Sequence, residues 1–192
     1  VLFDLSWIKN FDQEYVRSSF QTRAEATAQY LSDNILKQTE DKVTENAAEY
    51  IVSEIARETI VSELKYKDIP LGEIFKEQVA GNPGFDYFSQ TLDEIVVFGE
   101  AKYLAAQNAY GSGMKQVARF IKEKRDLSDL VDIDKFFSSF ALNGVTHGNK
   151  AFSIAFSAKK TTTDSLVQHI KSNKNYEELS KHKELIFVAV NI

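Results

Sequence analysis

Apolar positions recur with helical spacing in the first third of the chain. Between residues 11 and about 37 no glycine or proline interrupts this spacing, and the pattern predicts one long helix with apolar positions at Tyr15, Ala26, Tyr30 and Ile35. From residue 41 to 64 an apolar stripe runs beside an acidic face, which predicts a second helix. The apolar stripe of this second helix contains Ala48, Ile51, Val52, Ile55, Thr59 and Val61.

In the middle of the chain the helical spacing of apolar positions ends and a strand-like pattern begins. Pro70 and Gly72 leave room for a helical turn or two over residues 71–80, and the sequence GNPG at 81–84 predicts a loop. Residues 85–90 and 94–104 are rich in aromatic and β-branched side chains and are separated by a short polar turn at 91–93. This arrangement predicts an antiparallel hairpin.

The second half of the chain predicts helices alternating with strands. After a loop at 108–112, a helix is expected over 113–124, with a core face made by Met114, Val117, Ala118 and Ile121. Strands are expected at 151–157 and 184–192, and short helices at 163–171 and 176–181. The order predicts an α/β (α+β) fold with a mixed central sheet flanked by helices.

Length and composition favour one compact domain. With 192 residues and 43% hydrophobic positions, the chain can bury a core of its own. We expect residues 1–40 to form a helical extension and about 41–192 to form the core. The chain has no cysteine, so disulfides and thiolate zinc sites are excluded, and a metal would have to bind oxygen or imidazole.

Charge and hydropathy limit the kinds of partner that we expect for this chain. A net charge of −5 argues against nonspecific coating of nucleic acid, although it permits a local basic surface. The longest apolar runs fall far short of the roughly 20 residues that cross a bilayer, so we expect no membrane partner. Because the chain begins with Val1 rather than methionine, we expect it to start within a longer protein.

Three charged residues of the predicted hairpin are the best candidates for a functional site. Side chains alternate along a strand, so Glu100 and Lys102 should point to the same face of the second hairpin strand. Asp86 precedes Glu100 by 100 − 86 = 14 positions, a separation that the predicted turn can close. Two carboxylates at close range bind a hard divalent cation through oxygen, and a lysine beside them can orient water or stabilise charge on a phosphate.

These residues resemble the PD-(D/E)XK nuclease superfamily. The resemblance rests on Gly84-Phe85-Asp86 followed by IVVFGEAKY at 95–103. It implies a restriction-endonuclease-like core of a helix, a three-stranded meander, a second helix and a further strand. It also implies that Asp86 and Glu100 bind Mg²⁺, with Mn²⁺ as an alternative, and that Lys102 is the catalytic lysine. Pro83 departs from the family pattern, because it stands three positions before Asp86 rather than next to it.

The resemblance implies two further site residues. Some family members add a metal-binding glutamate from the helix before the hairpin, and Glu49 matches that position best, with Glu45 second. Some place a glutamine on the helix after the lysine, which Gln116 would supply. A solvated helix face is the alternative interpretation for each of these side chains.

A basic stripe is the best candidate for contacts with phosphate. Lys115, Arg119 and Lys122 fall at i, i+4 and i+7 of one predicted helix. Lys124 and Arg125 extend this stripe, and a solvated helix face explains it nearly as well. A weaker basic area contains Lys159, Lys160, Lys171 and Lys174. Neither a zinc spacing of histidines nor a nucleotide-binding glycine loop is present.

The sequence therefore predicts a Mg²⁺-dependent endonuclease that hydrolyses DNA, with RNA left open as a substrate. Restriction or anti-phage defence in bacteria is the expected setting. A nuclease domain of a larger bacterial toxin and a non-catalytic interaction domain of the same fold are the alternatives. A homodimer or a partner such as an immunity protein is expected by analogy. The expected location is cytoplasmic, or secreted if the chain belongs to a toxin.

Overall fold

The computed structural model describes residues 5–31, 41–76, 84–159 and 162–191. A short 3-10 helix, Ser6–Asn10, comes first. The helices are α1 (Glu14–Leu31), α2 (Asp41–Leu64), α3 (Gly72–Phe75), α4 (Tyr110–Lys122), α5 (Arg125–Ser128), α6 (Leu130–Ile133), α7 (Ser139–Thr146), α8 (Thr163–Lys171) and α9 (Tyr176–Leu179). The strands are β1 (Tyr87–Gln90), β2 (Val96–Lys102), β3 (Lys150–Ala158) and β4 (Leu185–Asn191).

The four strands form one mixed sheet in the order β1-β2-β3-β4. β1 and β2 are antiparallel, whereas β2, β3 and β4 run parallel. The predicted α/β class with a mixed sheet flanked by helices is therefore confirmed. The three-stranded meander that the resemblance implied is not found in the part of the chain that the structure describes, where the hairpin has two strands and the next strand, β3, comes only after the helices α4 to α7.

The hairpin turn forms as predicted. The Thr91 amide donates to the Ile95 carbonyl at 2.9 Å, and the Ile95 amide donates to Thr91 Oγ1 at 3.1 Å. Glu94 takes the left-handed backbone conformation with φ 58° that closes the turn. As a result, Tyr87 lies opposite Gly99 in the register.

Helices cover both faces of the sheet. One face carries Phe88, Phe98, Phe152 and Phe156 and packs in a core with Met114, Val117 and Phe120 of α4. The other face carries Ala101, Ala155 and Val188 and packs in a second core with Val52, Ala56 and Ile60 of α2. Because both faces are buried, β2 and β3 are almost continuously apolar in sequence.

The first helix buries a different face from the one predicted. Val16, Phe20 and Ala24 are buried, whereas Tyr15 is 72% exposed and Ala26 is exposed, so the prediction for these two was wrong. An aromatic cluster selects the buried face: the Phe20 ring lies 5.2 Å from that of Trp7 and 5.6 Å from that of Phe136. The side chain of Tyr30, and Ile35 with residues 32–40, lie outside the described residues.

The predicted stripe of α2 is partly confirmed. Ala48 and Val52 are buried, but Ile51 is 49% exposed, so its predicted place in the core was wrong. Ala56 and Ile60, one turn and two turns after Val52, complete the buried side instead. The core-facing side of α2 is narrower than the apolar stripe, because one edge of the helix remains open to solvent.

The segment between α4 and β3 was not predicted at all. It contains α5, α6 and α7, and the first two have only four residues each. So short a helix carries too few residues for a periodic signal. The predicted loop at 108–112 was also wrong in part, because α4 begins at Tyr110.

None of the helices in the described ranges combines the length and the apolar character that a membrane span requires.

Candidate metal-binding and catalytic site

The hairpin brings Asp86 beside the end of β2. The Asp86 amide donates to the Gly99 carbonyl at 2.9 Å, which continues the ladder one residue before β1. The Asp86 carboxylate accepts a hydrogen bond from the Ala101 amide at 2.7 Å. Asp86 is thereby fixed next to Glu100, as the 14-residue spacing predicted.

Glu100 is a buried carboxylate with unsatisfied oxygens. Its exposed fraction is 0%, and neither side-chain oxygen accepts a hydrogen bond of acceptable geometry from the described residues. Lys102 Nζ does lie 3.0 Å from Glu100 Oε1 as an ion pair. A buried acceptor left without a hydrogen bond costs about 1–3 kcal/mol, and more when it is charged. Lys102 offsets part of this cost at Oε1, and a proton or a further cation at Oε2 would offset the rest.

The environment raises the pKa of both acids. Burial raises the pKa of Glu100 well above its usual value, and the Asp86 charge raises it further against the opposing effect of Lys102. Burial also raises the pKa of Asp86, to about 6, while Lys102 and the Ala101 amide act against the increase. Two carboxyl groups with raised pKa values at one place are typical of a functional site.

Lys102 is the counter-charge of this site. Its ammonium group lies 3.0 Å from Glu100 and 3.3 Å from each oxygen of Glu49. Burial acts to lower the pKa of Lys102, but the charges of Glu100, Asp86 and Glu49 outweigh it and raise the pKa above its usual value. Lys102 is therefore cationic at neutral pH and can act as a donor or a positive charge, not as a base.

Glu49 reaches the site from α2, as the resemblance implied. Besides its pair with Lys102, it accepts a hydrogen bond from the Tyr103 amide at 3.4 Å, and its side chain is 34% exposed. Within the described residues, no group of three or more His, Cys, Asp or Glu side chains is arranged to hold a metal. The role of Glu49 as a metal ligand stays a prediction. Glu45 has a side chain outside the described set.

Asp86 and Glu100 suit a magnesium ion chemically. Mg²⁺ binds through one or two protein carboxylates and retains several waters. The unsatisfied oxygens of Glu100 are ligands of this type, and they already attract the Lys102 ammonium. The residues present therefore fit the expected metal.

Gln116 lies close to the site without joining it. A Cβ atom added at Gly113 would lie 3.9 Å from Cγ of Lys102, so this turn of α4 passes beside the lysine. Gln116 follows one turn later and is half-buried. No hydrogen bond joins it to Asp86, Glu100 or Lys102 within the described ranges, and its predicted role remains a prediction.

The basic stripe lies on the exposed side of α4. Lys115, Arg119 and Lys122 are all exposed, and Arg119 Nε is 4.0 Å from a carboxylate oxygen of Glu123. The helix starts beside Lys102 and runs away from it. At 1.5 Å per residue, Lys122 lies roughly 14 Å further along the axis than Gly113.

Two residues that sequence reasoning missed support the backbone at Asp86. Asp129 accepts a hydrogen bond from the Phe85 amide at 2.9 Å and pairs with Lys76 at 2.9 Å. The ion pair joins residues 53 positions apart, and Asp129 follows a four-residue helix. No local pattern in the sequence could have indicated it.

Comparison with known proteins gives no relative: no family model, no curated protein and no solved structure matches this chain. Any functional inference therefore rests on the geometry of the site.

Proposed function

We propose that the chain is a metal-dependent nuclease that hydrolyses DNA phosphodiester bonds. The observation that carries the proposal is Glu100, a fully buried carboxylate whose Oε1 pairs with Lys102 and whose Oε2 has no hydrogen-bond partner among the described residues. Asp86 and Lys102 lie beside it at the end of two paired strands. Carboxylates are rarely buried without compensation unless they bind a cation or hold a proton for chemistry.

Asp86 and Glu100 would hold the metal through their oxygens. Bound there, Mg²⁺ would polarise a phosphate oxygen and lower the pKa of a coordinated water. The Ala101 amide keeps one oxygen of Asp86 in place at 2.7 Å, which leaves the other oxygen for the ion. Burial by the surrounding core excludes bulk water from Glu100 and strengthens its interaction with any cation.

Lys102 would act on the phosphate. Its ammonium group is charged, because three carboxylates raise its pKa. A fixed positive charge at this place can orient the attacking water and stabilise the charge that develops on the phosphate oxygens. Glu49 also binds the ammonium group, at 3.3 Å, and so would help to fix where that charge lies.

The substrate class and setting are parts of the same proposal. A phosphodiester in DNA is proposed first and RNA second, with Lys115, Arg119 and Lys122 contacting the backbone. Bacterial defence is the proposed setting, and a toxin domain is the alternative. A homodimer would allow both strands of a duplex to be cut.

A non-catalytic interaction domain is the second candidate. The observation that favours it is the pairing of Lys102 with both Glu100 and Glu49, which gives these carboxylates a counter-charge without a metal. In this interpretation the three charged groups are structural, and no metal binds.

Incubation with supercoiled plasmid separates the two candidates. The protein is assayed with Mg²⁺, with Mn²⁺ and with EDTA, alongside the Lys102→Ala, Asp86→Asn and Glu100→Gln variants. Glu54→Gln is the control, because Glu54 lies on the same helix as Glu49 but pairs with Arg57 at 2.7 Å. The nuclease predicts metal-dependent nicking that all three site variants lose and the control retains. Intact plasmid and intact RNA under every metal would exclude the nuclease.

A further inference from the structure

All four backbone polar groups of Phe85 and Asp86 have fixed partners. The Asp86 amide donates to Gly99, and the Asp86 carbonyl accepts from the Gly72 amide at 2.8 Å. These two bonds hold Asp86 between the end of β2 and the start of α3. Both are hydrogen bonds between backbone groups and involve no side chain.

The two groups of Phe85 are held by side chains instead. Asp129 accepts the hydrogen bond of the Phe85 amide at 2.9 Å, and Lys76 Nζ donates to the Phe85 carbonyl at 3.2 Å. The same two side chains form an ion pair of 2.9 Å. One buried ion pair thus clamps the peptide groups on both sides of the residue before Asp86.

Two glycines make this close approach possible. A Cβ atom at Gly84 would stand 2.2 Å from Lys76 Nζ and 2.6 Å from Asp129 Oδ1. A Cβ atom at Gly72 would stand 2.9 Å from the Asp86 carbonyl oxygen. Real Cβ contacts are not this short, so larger residues at either place would displace the clamp.

Stability alone does not account for such a pair. The side chain of Asp129 is 6% exposed and that of Lys76 is 14% exposed, so both charges are largely desolvated. Replacing a buried ion pair by apolar residues of similar size is often neutral or stabilising. A buried pair is better suited to specifying one geometry, and a metal site needs its ligands held within about 0.5 Å.

We propose that Asp129 and Lys76 are positioning residues, which hold the Phe85 peptide groups and so place the Asp86 carboxylate for metal binding. This inference rests on the proposed metal site. It extends that site to two residues that touch neither substrate nor metal.

Asp126 supplies a matched control. Its carboxylate is 1% exposed and pairs with Lys150, and it lies three residues before Asp129 in the same segment. Asp129→Asn and Asp126→Asn each remove the charge of a buried aspartate from an ion pair with lysine. Only Asp129 contacts the backbone that leads to Asp86.

The test measures Mn²⁺ affinity by electron paramagnetic resonance and cleavage at increasing Mn²⁺. We expect Asp129→Asn to weaken Mn²⁺ binding at least tenfold, and Asp126→Asn to change it less than twofold. Because the groups that perform the reaction are intact, we also expect tenfold more Mn²⁺ to restore most of the cleavage rate of Asp129→Asn. Lys76→Met, which keeps an unbranched side chain but removes the ammonium group that binds Asp129 and the Phe85 carbonyl, should reproduce the effect if Asp129→Asn does not fold.

The outcomes separate this inference from the proposed function. Equal Mn²⁺ affinity of the Asp129 and Asp126 variants would overturn the positioning role, even if the wild type cleaves DNA. A wild type that binds Mn²⁺ without cleaving any nucleic acid would overturn the nuclease, while the difference between the variants would still support positioning. A wild type that binds no Mn²⁺ would overturn both.

Discussion

Lys102 Nζ lies 3.0 Å from Glu100 Oε1, and the two residues project from the same face of β2. The carboxylate is fully buried, and the lysine side chain is 18% exposed. Glu100 therefore lies in the core, whereas Lys102, at the end of β2, is partly accessible to solvent. Removing either partner leaves the charge of the other without a counter-charge in a region of low dielectric. The same substitution therefore affects both the stability of the fold and the proposed activity.

Lys102→Met should destabilise the protein more at pH 8 than at pH 5. Breaking a buried ion pair costs roughly 3–5 kcal/mol, and we expect about 3 kcal/mol because Lys102 retains access to water. At pH 5 the loss should be smaller, because burial raises the pKa of Glu100 and a protonated Glu100 needs no counter-charge. Urea unfolding at the two pH values measures this. An equal loss at both would show that Glu100 does not change its protonation state between pH 5 and pH 8.

The Asp86 carboxyl should make the metal-free protein less stable as pH rises. Its pKa is about 6 in the folded chain against 3.8 for the free side chain, so the folded state binds the proton more tightly. Its contribution to stability is present below about pH 4 and is lost as pH rises through about 6. Asp86→Asn should flatten this part of the unfolding profile.

Mn²⁺ affinity should change with pH in the opposite direction. The metal binds the ionised carboxylates, so affinity should rise as pH increases through about 6, where Asp86 ionises. Titrations at pH 5, 6, 7 and 8 check this expectation. A pH-independent affinity would place the metal elsewhere in the molecule.

Glu49→Gln distinguishes a metal ligand from a residue that only holds Lys102. If Glu49 binds the ion, the variant should weaken Mn²⁺ affinity about as much as Glu100→Gln does. If it only holds the lysine at 3.3 Å, affinity should change little while kcat falls. We expect the second result, because no three-carboxylate group is found among the described residues. Glu54→Gln is again the control on the same helix.

Gly99→Ala should destabilise the protein by several kcal/mol. The added Cβ atom would stand 2.2 Å from the ring of Tyr87, which is fully buried and hydrogen-bonded to Ser153 at 2.7 Å. Overpacking of this kind costs about 1–3 kcal/mol or more. Gly111→Ala, in the first turn of α4, is the control: the added Cβ atom would lie 3.6 Å from the nearest atom, so the change in stability should be within about 0.5 kcal/mol. Thermal unfolding of both variants tests the pair, and similar stability would contradict the close packing at Gly99.

The placement of Asp86, Glu100 and Lys102 next to one another followed from local rules of sequence. Alternation along one strand placed Glu100 and Lys102 on a common face, and the polar turn at 91–93 brought Asp86 to them. Both rules involve neighbours in the chain, so they operate before any long-range packing is known. The wrong predictions at Tyr15 and Ile51 arose where two adjacent helix faces were both apolar and the sequence did not choose between them.

What the sequence determined by itself was the mixed α/β character, the hairpin and the three charged residues at its end. Only the tertiary structure decided which way β3 and β4 run, that Glu49 reaches Lys102 from α2, and that Asp129 and Lys76 clamp Phe85. The Glu49–Lys102 and Lys76–Asp129 ion pairs each join positions 53 apart, so they depend on how helices and strands pack and leave no periodic pattern in the sequence. Local backbone geometry depends on neighbouring residues and can be inferred from the sequence, whereas the placement of distant residues depends on how the whole core packs.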